Sequence, residues 1–237
     1  MVAAAALCIA LSQPYAGDMP ALRVPMPKIP WVAASAAGFA PPGWTVEHVV
    51  RGDLDRDGRP DLLMVLKGVD PRCIVRTENA AGTMDTNPRL LLVALARKTG
   101  FALAGANAKI IPRIDDPYMD DPFNADALVI RNGALRLGLT FWRSMGGWTT
   151  YTSTLSFRWD GRRFALIGYD RETLKRNSGE TETISVNFVT GRAKRTTGSI
   201  EDDVGDSTRW KPLPAQKTPD LASIGDGLAY EPKRAPR

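Results

Sequence analysis

The stretch from residue 134 to 169 constrains the fold most strongly, because it reads as consecutive short strands separated by turns. In its middle segment, WTTYTSTLSFRW, the odd-numbered residues from Tyr151 to Trp159 are mostly apolar or aromatic. The even-numbered residues from Thr150 to Arg158 are polar. This alternation places one face on a core and the other in water, which is typical of an antiparallel strand. The Asp160-Gly161 pair that follows favours a two-residue hairpin turn.

The rest of the chain shows the same pattern of short apolar segments separated by turns. WTVEHVV, LLMVL, LLLVALAR, FALAG, ISVNFVT and AKRTTGSI are strand-like, whereas RETLKRNSGETE is interpreted as a polar linker with room for a short helix. Eighteen prolines and 21 glycines leave little room for long helices. We therefore expect a mainly β fold, an antiparallel β sandwich or a partly open barrel built from hairpins, with few short helices.

Four regions are expected along the chain. The apolar run MVAAAALCIAL has the length of a signal-peptide core and is too short to cross a membrane, so residues 1–17 are interpreted as a signal peptide. A Pro/Ala-rich extended lead-in (18–43), a single β-rich domain (44–228) and a disordered basic tail (229–237) follow. The alternatives for the first region are a buried N-terminal helix and a lipid anchor on Cys8.

Composition excludes several classes of protein. The net charge is +5, but Lys and Arg are scattered and are not interleaved with aromatic residues, so we expect no nucleic-acid partner. Without the leader, Cys73 is the only thiol, and we interpret it as a small buried hydrophobic residue. The single histidine, His48, is interpreted as a surface strand residue. The sequence contains no histidine pair, Gly-rich phosphate loop or nucleophile elbow. We therefore favour the interpretation that the protein is not an enzyme.

The strongest chemical signal is the acidic loop GDLDRDGRPDL between two strand-like segments. The candidate ligands of a cation are the carboxylates of Asp53, Asp55, Asp57 and Asp61 and the backbone carbonyl of Arg59. Ca²⁺ takes six to eight oxygen ligands, and Gly58 permits the sharp turn that directs alternate side chains inward. The twelfth position of the loop holds Met64 where a helix–loop–helix calcium sensor has Glu, so that fold is not expected. The alternatives are a metal-free turn and another divalent ion.

This loop resembles the calcium loops of FG-GAP and integrin-α-like repeat proteins, in which Asp-x-Asp-x-Asp-Gly-x-x-Asp joins two strands. The resemblance covers residues 52 to about 66 and occurs once, so a complete propeller is not implied. Together with FRWDGRRFALIGYD and TISVNFVTG, the loop also resembles a group of exported proteobacterial proteins over residues 44 to 200. That wider resemblance implies an envelope location and a β-rich fold, and it implies no particular activity.

Two further segments have more than one interpretation. The segment IDDPYMDDPF carries Asp115, Asp116, Asp120 and Asp121. We expect it to be a solvated loop, and the alternatives are a second cation site or a pair of catalytic carboxylates. Trp148 is expected to begin a core strand, and the alternative is an aromatic residue exposed at a hairpin tip.

Taken together, the sequence predicts a non-enzymatic, calcium-stabilised β domain of the bacterial envelope that acts through protein or glycan contacts. We expect a periplasmic or secreted monomer without a transmembrane span. The alternatives are a carboxylate-based hydrolase of envelope polysaccharide that uses the Asp115–Asp121 segment, and an immunity or inhibitor protein directed against an exported toxin.

Overall fold

The computed structural model describes residues 24–77, 82–201, 210–214 and 216–233. The predicted signal peptide at 1–17 lies outside these residues. Within them, strands dominate, every strand pair is antiparallel and no α-helix occurs. Two short 3₁₀ segments, Ala36–Phe39 and Pro71–Cys73, are the only helical turns of the described chain. The predicted mainly β, antiparallel fold is confirmed.

The described residues form fourteen strands, arranged in two large sheets and one small one. The strands are β1 (Val32–Ala33), β2 (Trp44–Gly52), β3 (Asp61–Gly68), β4 (Ile74–Arg76), β5 (Thr83–Asp85), β6 (Arg89–Ala96), β7 (Phe101–Asn107), β8 (Phe123–Arg131), β9 (Ala134–Phe141), β10 (Thr149–Trp159), β11 (Phe164–Lys175), β12 (Glu180–Asn187), β13 (Arg192–Ser199) and β14 (Lys211–Pro212). A five-stranded sheet has the order β1-β7-β6-β3-β2, a seven-stranded sheet has the order β14-β13-β12-β11-β10-β9-β8, and β4 pairs with β5.

The larger hydrophobic core lies between the two large sheets. One face of β3 and β6 supplies Leu63, Val65, Leu91, Val93 and Leu95, and the opposing strands supply Leu137, Leu155, Phe157, Phe164 and Leu166. The sheets also approach each other at their edges, since a Cβ added to Gly52 in β2 would lie 2.9 Å from Ile130 in β8. The two large sheets therefore lie close together along β2 and β8, at this edge of the sandwich.

A second core explains why LLMVL and LLLVALA are apolar without alternation. The other face of β3 and β6 buries Leu62, Met64, Leu66, Leu90 and Leu92. Phe39, which is fully buried, covers this face together with half-buried residues of the segment that precedes β2. Because β3 and β6 are buried on both faces, every side chain of their central residues is apolar.

Three parts of the chain differ from their sequence interpretation. The predicted linker RETLKRNSGETE forms the end of β11, a tight turn and the start of β12, because its polar residues occupy solvent-facing strand positions. Val32 and Ala33 of the lead-in pair with β7, although the proline pattern indicated no sheet element there. Trp148 does not begin a core strand; its side chain is 66% exposed at the end of the β9–β10 turn.

The chain also remains packed beyond the predicted boundary at residue 229. The ring of Tyr230 contacts that of Tyr169 edge-on, and Glu231 accepts a hydrogen bond from Arg171 at 2.7 Å. Residues 234–237 of the predicted tail lie outside the described residues. Cys73 is fully buried, which agrees with its interpretation as a small hydrophobic residue.

Candidate metal centre

The acidic loop connects β2 to β3 at one end of the five-stranded sheet. Its backbone is tightly wound, since Arg56 has a φ of 65° and Gly58 a φ of 84°. The Asp53 carboxylate stabilises this turn by accepting hydrogen bonds from the N–H groups of Arg56 at 2.6 Å, Asp57 at 3.2 Å and Gly58 at 3.0 Å. Glycine at position 58 adopts the positive φ without the steric cost that other residues incur.

Three of the predicted ligands converge. Asp53, Asp55 and Asp61 each place one carboxylate oxygen within 4.8 Å of the others. Two oxygens bound to one Ca²⁺ at 2.3–2.6 Å lie at most about 5.2 Å apart, so a single ion fits among these atoms. The three carboxylates, some backbone carbonyls and water would make up a calcium shell of six to eight oxygens.

Asp61 is the most unusual member of this trio because its carboxylate is fully buried. One oxygen accepts a hydrogen bond from the N–H of Leu54 at 2.7 Å and the other from the N–H of Ala96 at 2.8 Å. Burial raises the pKa of Asp61 above its usual value in spite of these two bonds. No Lys or Arg of the described chain forms an ion pair with it. A bound cation would lower this pKa again by stabilising the ionised form.

Asp57, the fourth predicted carboxylate ligand, faces another partner. Its side chain accepts hydrogen bonds from the guanidinium of Arg59, one of them from Nε at 2.9 Å, and lies outside the converging trio. The Arg59 guanidinium holds the pKa of Asp57 below its usual value. The ligand roles of Asp57 and of the Arg59 carbonyl therefore stay predictions, while Asp53, Asp55 and Asp61 have the convergent geometry.

Sequence reasoning missed the residue that anchors the loop. Leu54 lies between two acidic residues, yet its side chain is 1% exposed and belongs to the core between the two sheets. The alternation of Asp53, Leu54 and Asp55 is itself the available signal, because an apolar residue between two outward-facing side chains points inward. Leu54 thus fixes the backbone from which two of the three carboxylates project.

The segment from Asp115 to Asp121 is a loop before β8, and its carboxylates do not act as one group. Asp116 pairs with Arg143 at 2.6 Å. Asp121 pairs with Arg89 at 2.6 Å, and the same guanidinium, whose side chain is 5% exposed, also binds Glu47. Asp115 lines a cleft elsewhere. Two of the four carboxylates are thus committed to separate ion pairs.

The fold and the loop define an antiparallel β protein with two large sheets and a converging acidic trio at one end of the five-stranded sheet. Comparisons with protein families, with curated proteins and with solved structures found no match. Among the residues described, no helix is long and apolar enough to span a membrane.

Proposed function

We propose that this protein is a non-enzymatic, calcium-stabilised β domain of the bacterial envelope that acts through protein or glycan contacts. The observation that carries the calcium part is the fully buried, raised-pKa carboxylate of Asp61 beside those of Asp53 and Asp55, with no ion-pair partner for Asp61 among the described residues. At about 5 Å and an effective dielectric of about 20, each carboxylate pair repels by ~3 kcal/mol before relaxation. A divalent cation removes that repulsion.

The ion has a structural role in this proposal. It would join Asp53 and Asp55, which precede the turn, to Asp61, which begins β3 and binds the backbone of β6. Calcium would thereby hold the loop to the five-stranded sheet, while Leu54 holds it to the core. The one described cysteine is free and buried, so among the described residues no disulfide stabilises the domain, and a bound ion would take that stabilising role after export.

Calcium titration of the thermal midpoint tests the proposal. At 100 times its dissociation constant, an ion specific for the folded state adds ~2.7 kcal/mol, which for a chain of this size raises the midpoint by about 5–10 °C. We expect this rise for the EDTA-treated protein on addition of calcium. Elemental analysis of the protein as purified from the envelope fraction would identify the resident ion and the location together.

Two substitutions sharpen the test. Asp55→Asn removes one carboxylate of the trio without changing side-chain size, so the calcium-dependent rise should largely disappear. Asp57→Asn tests the fourth predicted carboxylate ligand: if that carboxylate stays on Arg59 when calcium binds, the variant should retain most of the rise. Asp126→Asn, on the exposed face of β8, should behave as wild type. A midpoint that ignores calcium in the wild type, or a full rise in Asp55→Asn, would remove the structural ion from the proposal.

A further inference from the structure

A cleft of about 540 Å³ is lined by residues that are distant in sequence from the acidic loop. Its walls come from the segment after β7, residues 108–119, and from the C-terminal segment, residues 226–229. Phe141 at the end of β9 and Tyr151 near the start of β10 also line it. The volume falls within the range of roughly 300–1,000 Å³ that is usual for small-molecule sites.

The two walls are fixed to each other by buried polar contacts. Asn107, which is 6% exposed, donates to the carbonyls of Leu221 at 2.6 Å and Ile224 at 2.7 Å. Its oxygen accepts from the N–H groups of Lys109 and Ile110. The N–H of Gly227 also donates to the Ile110 carbonyl at 2.9 Å. The cleft is therefore preformed, which lowers the entropic cost of binding a ligand.

The aromatic part of the lining is equally well supported. The rings of Phe141 and Tyr151 stack with centroids 4.9 Å apart, and the Arg171 guanidinium lies 4.6 Å from the Tyr151 centroid. Arg171 is held in turn by Glu231 and by the carbonyl of Leu228. Because the Tyr151 ring packs against both an aromatic ring and a guanidinium, its hydroxyl is held in place.

Three polar groups at this cleft have no partner among the described residues. Within the described part of the chain, the ammonium of Lys109, the carboxylate of Asp115 and the hydroxyl of Tyr151 make no hydrogen bond or ion pair, although all three residues line the cleft. They offer a donor, an acceptor and a group that does both. Apolar residues, among them Ile111 and Met119, form much of the remaining lining.

These features point to a ligand that is apolar on one side and carries hydroxyl groups on the other. The charged residues of the lining are balanced, since it includes two basic residues, Lys109 and Arg113, and two acidic ones, Asp115 and Asp226. A strongly anionic or cationic ligand gains little there, whereas sugar hydroxyls both donate and accept and therefore match all three free groups. The C–H face of a sugar ring can pack on apolar side chains of the lining such as Met119.

We propose that this cleft binds a neutral saccharide unit of a glycan chain. The proposal rests on the envelope function proposed above and names its ligand class and its site. Tyr151 and Asp115 bond to sugar hydroxyls, Lys109 donates to a sugar oxygen, and apolar side chains of the lining contact the ring.

Isothermal titration calorimetry of the full chain in saturating calcium tests this proposal. The probes are maltotriose, cellotriose and triacetylchitotriose as neutral trisaccharides and trigalacturonate as an anionic one. We expect at least one neutral trisaccharide to bind at millimolar concentration. Loss of one hydrogen bond in Tyr151→Phe should weaken that binding about fivefold, and loss of a charged acceptor in Asp115→Ala should weaken it about tenfold or more.

Matched controls separate the cleft from the rest of the sheet. Tyr169→Phe removes a buried hydroxyl of the same sheet outside the cleft lining, and Trp148→Ala removes the exposed aromatic residue of the β9–β10 turn. Both should bind as wild type. No binding of any neutral trisaccharide, unchanged affinity in Tyr151→Phe and Asp115→Ala, or tighter binding of trigalacturonate would each overturn the proposal. Tyr151→Phe should keep its full calcium-dependent midpoint rise, so failure of the calcium proposal is read separately.

Discussion

Asn107→Ala removes the side chain that joins the end of β7 to the C-terminal segment. The amide makes four hydrogen bonds, two to carbonyls of residues 221 and 224 and two from N–H groups of residues 109 and 110. Each such bond contributes about 1 kcal/mol net, so we expect a loss of about 4 kcal/mol in the free energy of unfolding. That is a large fraction of the 5–15 kcal/mol typical of a folded domain.

Urea denaturation followed by tryptophan fluorescence measures this loss, and calorimetry gives the thermal midpoint. For a chain of this size, 4 kcal/mol corresponds to a midpoint lower by about 8–16 °C. Asn124→Ala is the matched control, since Asn124 is exposed on β8 and makes one local bond to the N–H of Asp126. We expect that control to change stability by less than about 0.5 kcal/mol.

A second substitution tests the cause of the effect. Asn107→Asp keeps both acceptor bonds but places a carboxylate against two carbonyl oxygens that now lie 2.6 and 2.7 Å from the amide nitrogen. Burying that unpaired charge should destabilise at least as much as Ala does. A loss below about 1 kcal/mol in Asn107→Ala, or a stability in Asn107→Asp close to wild type, would contradict the idea that this amide joins the two segments.

Other predictions follow from single contacts. Arg89→Met leaves two carboxylates without their shared guanidinium and should cost about 3–5 kcal/mol by urea denaturation, whereas Arg72→Met, at an exposed ion pair, should cost less than about 1 kcal/mol. Gly227→Ala should lower the thermal midpoint, because its Cβ would lie 2.7 Å from a carbonyl oxygen. Hydrogen bonding from Ser223 and the guanidinium of Arg163 hold the pKa of Asp220 below its usual value of 3.8, so its contribution is present above that pH and is lost as the pH falls. Asp220→Asn should therefore make the free energy of unfolding less pH-dependent under acidic conditions, which an acid titration of the urea midpoint measures.

The strands were predictable from the sequence because their alternation is local. The odd-numbered side chains of β10, such as Leu155 and Phe157, face the core as their spacing indicated. The pairing of β1 with β7 was not predictable, since it links a proline-rich segment to residues about 70 positions away. The linker was misinterpreted for a different reason. The strand ends and the turn of the long β11–β12 hairpin carry polar residues, which resemble a loop in the sequence.

The acidic trio was predictable for the same local reason, since Asp53, Asp55 and Asp61 lie in one short loop. The side-chain direction of Asp57 was not, because a neighbouring guanidinium competes with the centre of the loop for its carboxylate. The cleft could not be predicted at all. It joins Asp115 to Tyr151 and to a C-terminal segment, and no spacing in the sequence relates these positions.

The acidic loop and the cleft lie at opposite ends of β9, so we expect them to act independently. The Arg56 side chain of the loop lies against Gly133, the residue just before β9, while Phe141 at the other end of the strand lines the cleft. Eight residues at roughly 3.3 Å each place these ends about 26 Å apart, too far for one ion to contact a ligand in the cleft. Calcium should therefore raise the thermal midpoint yet leave trisaccharide affinity unchanged within about twofold, provided that calorimetry in calcium and in EDTA is done well below both midpoints. Affinity that vanishes with EDTA in the still-folded protein would instead require that the loop and the cleft are coupled through β9.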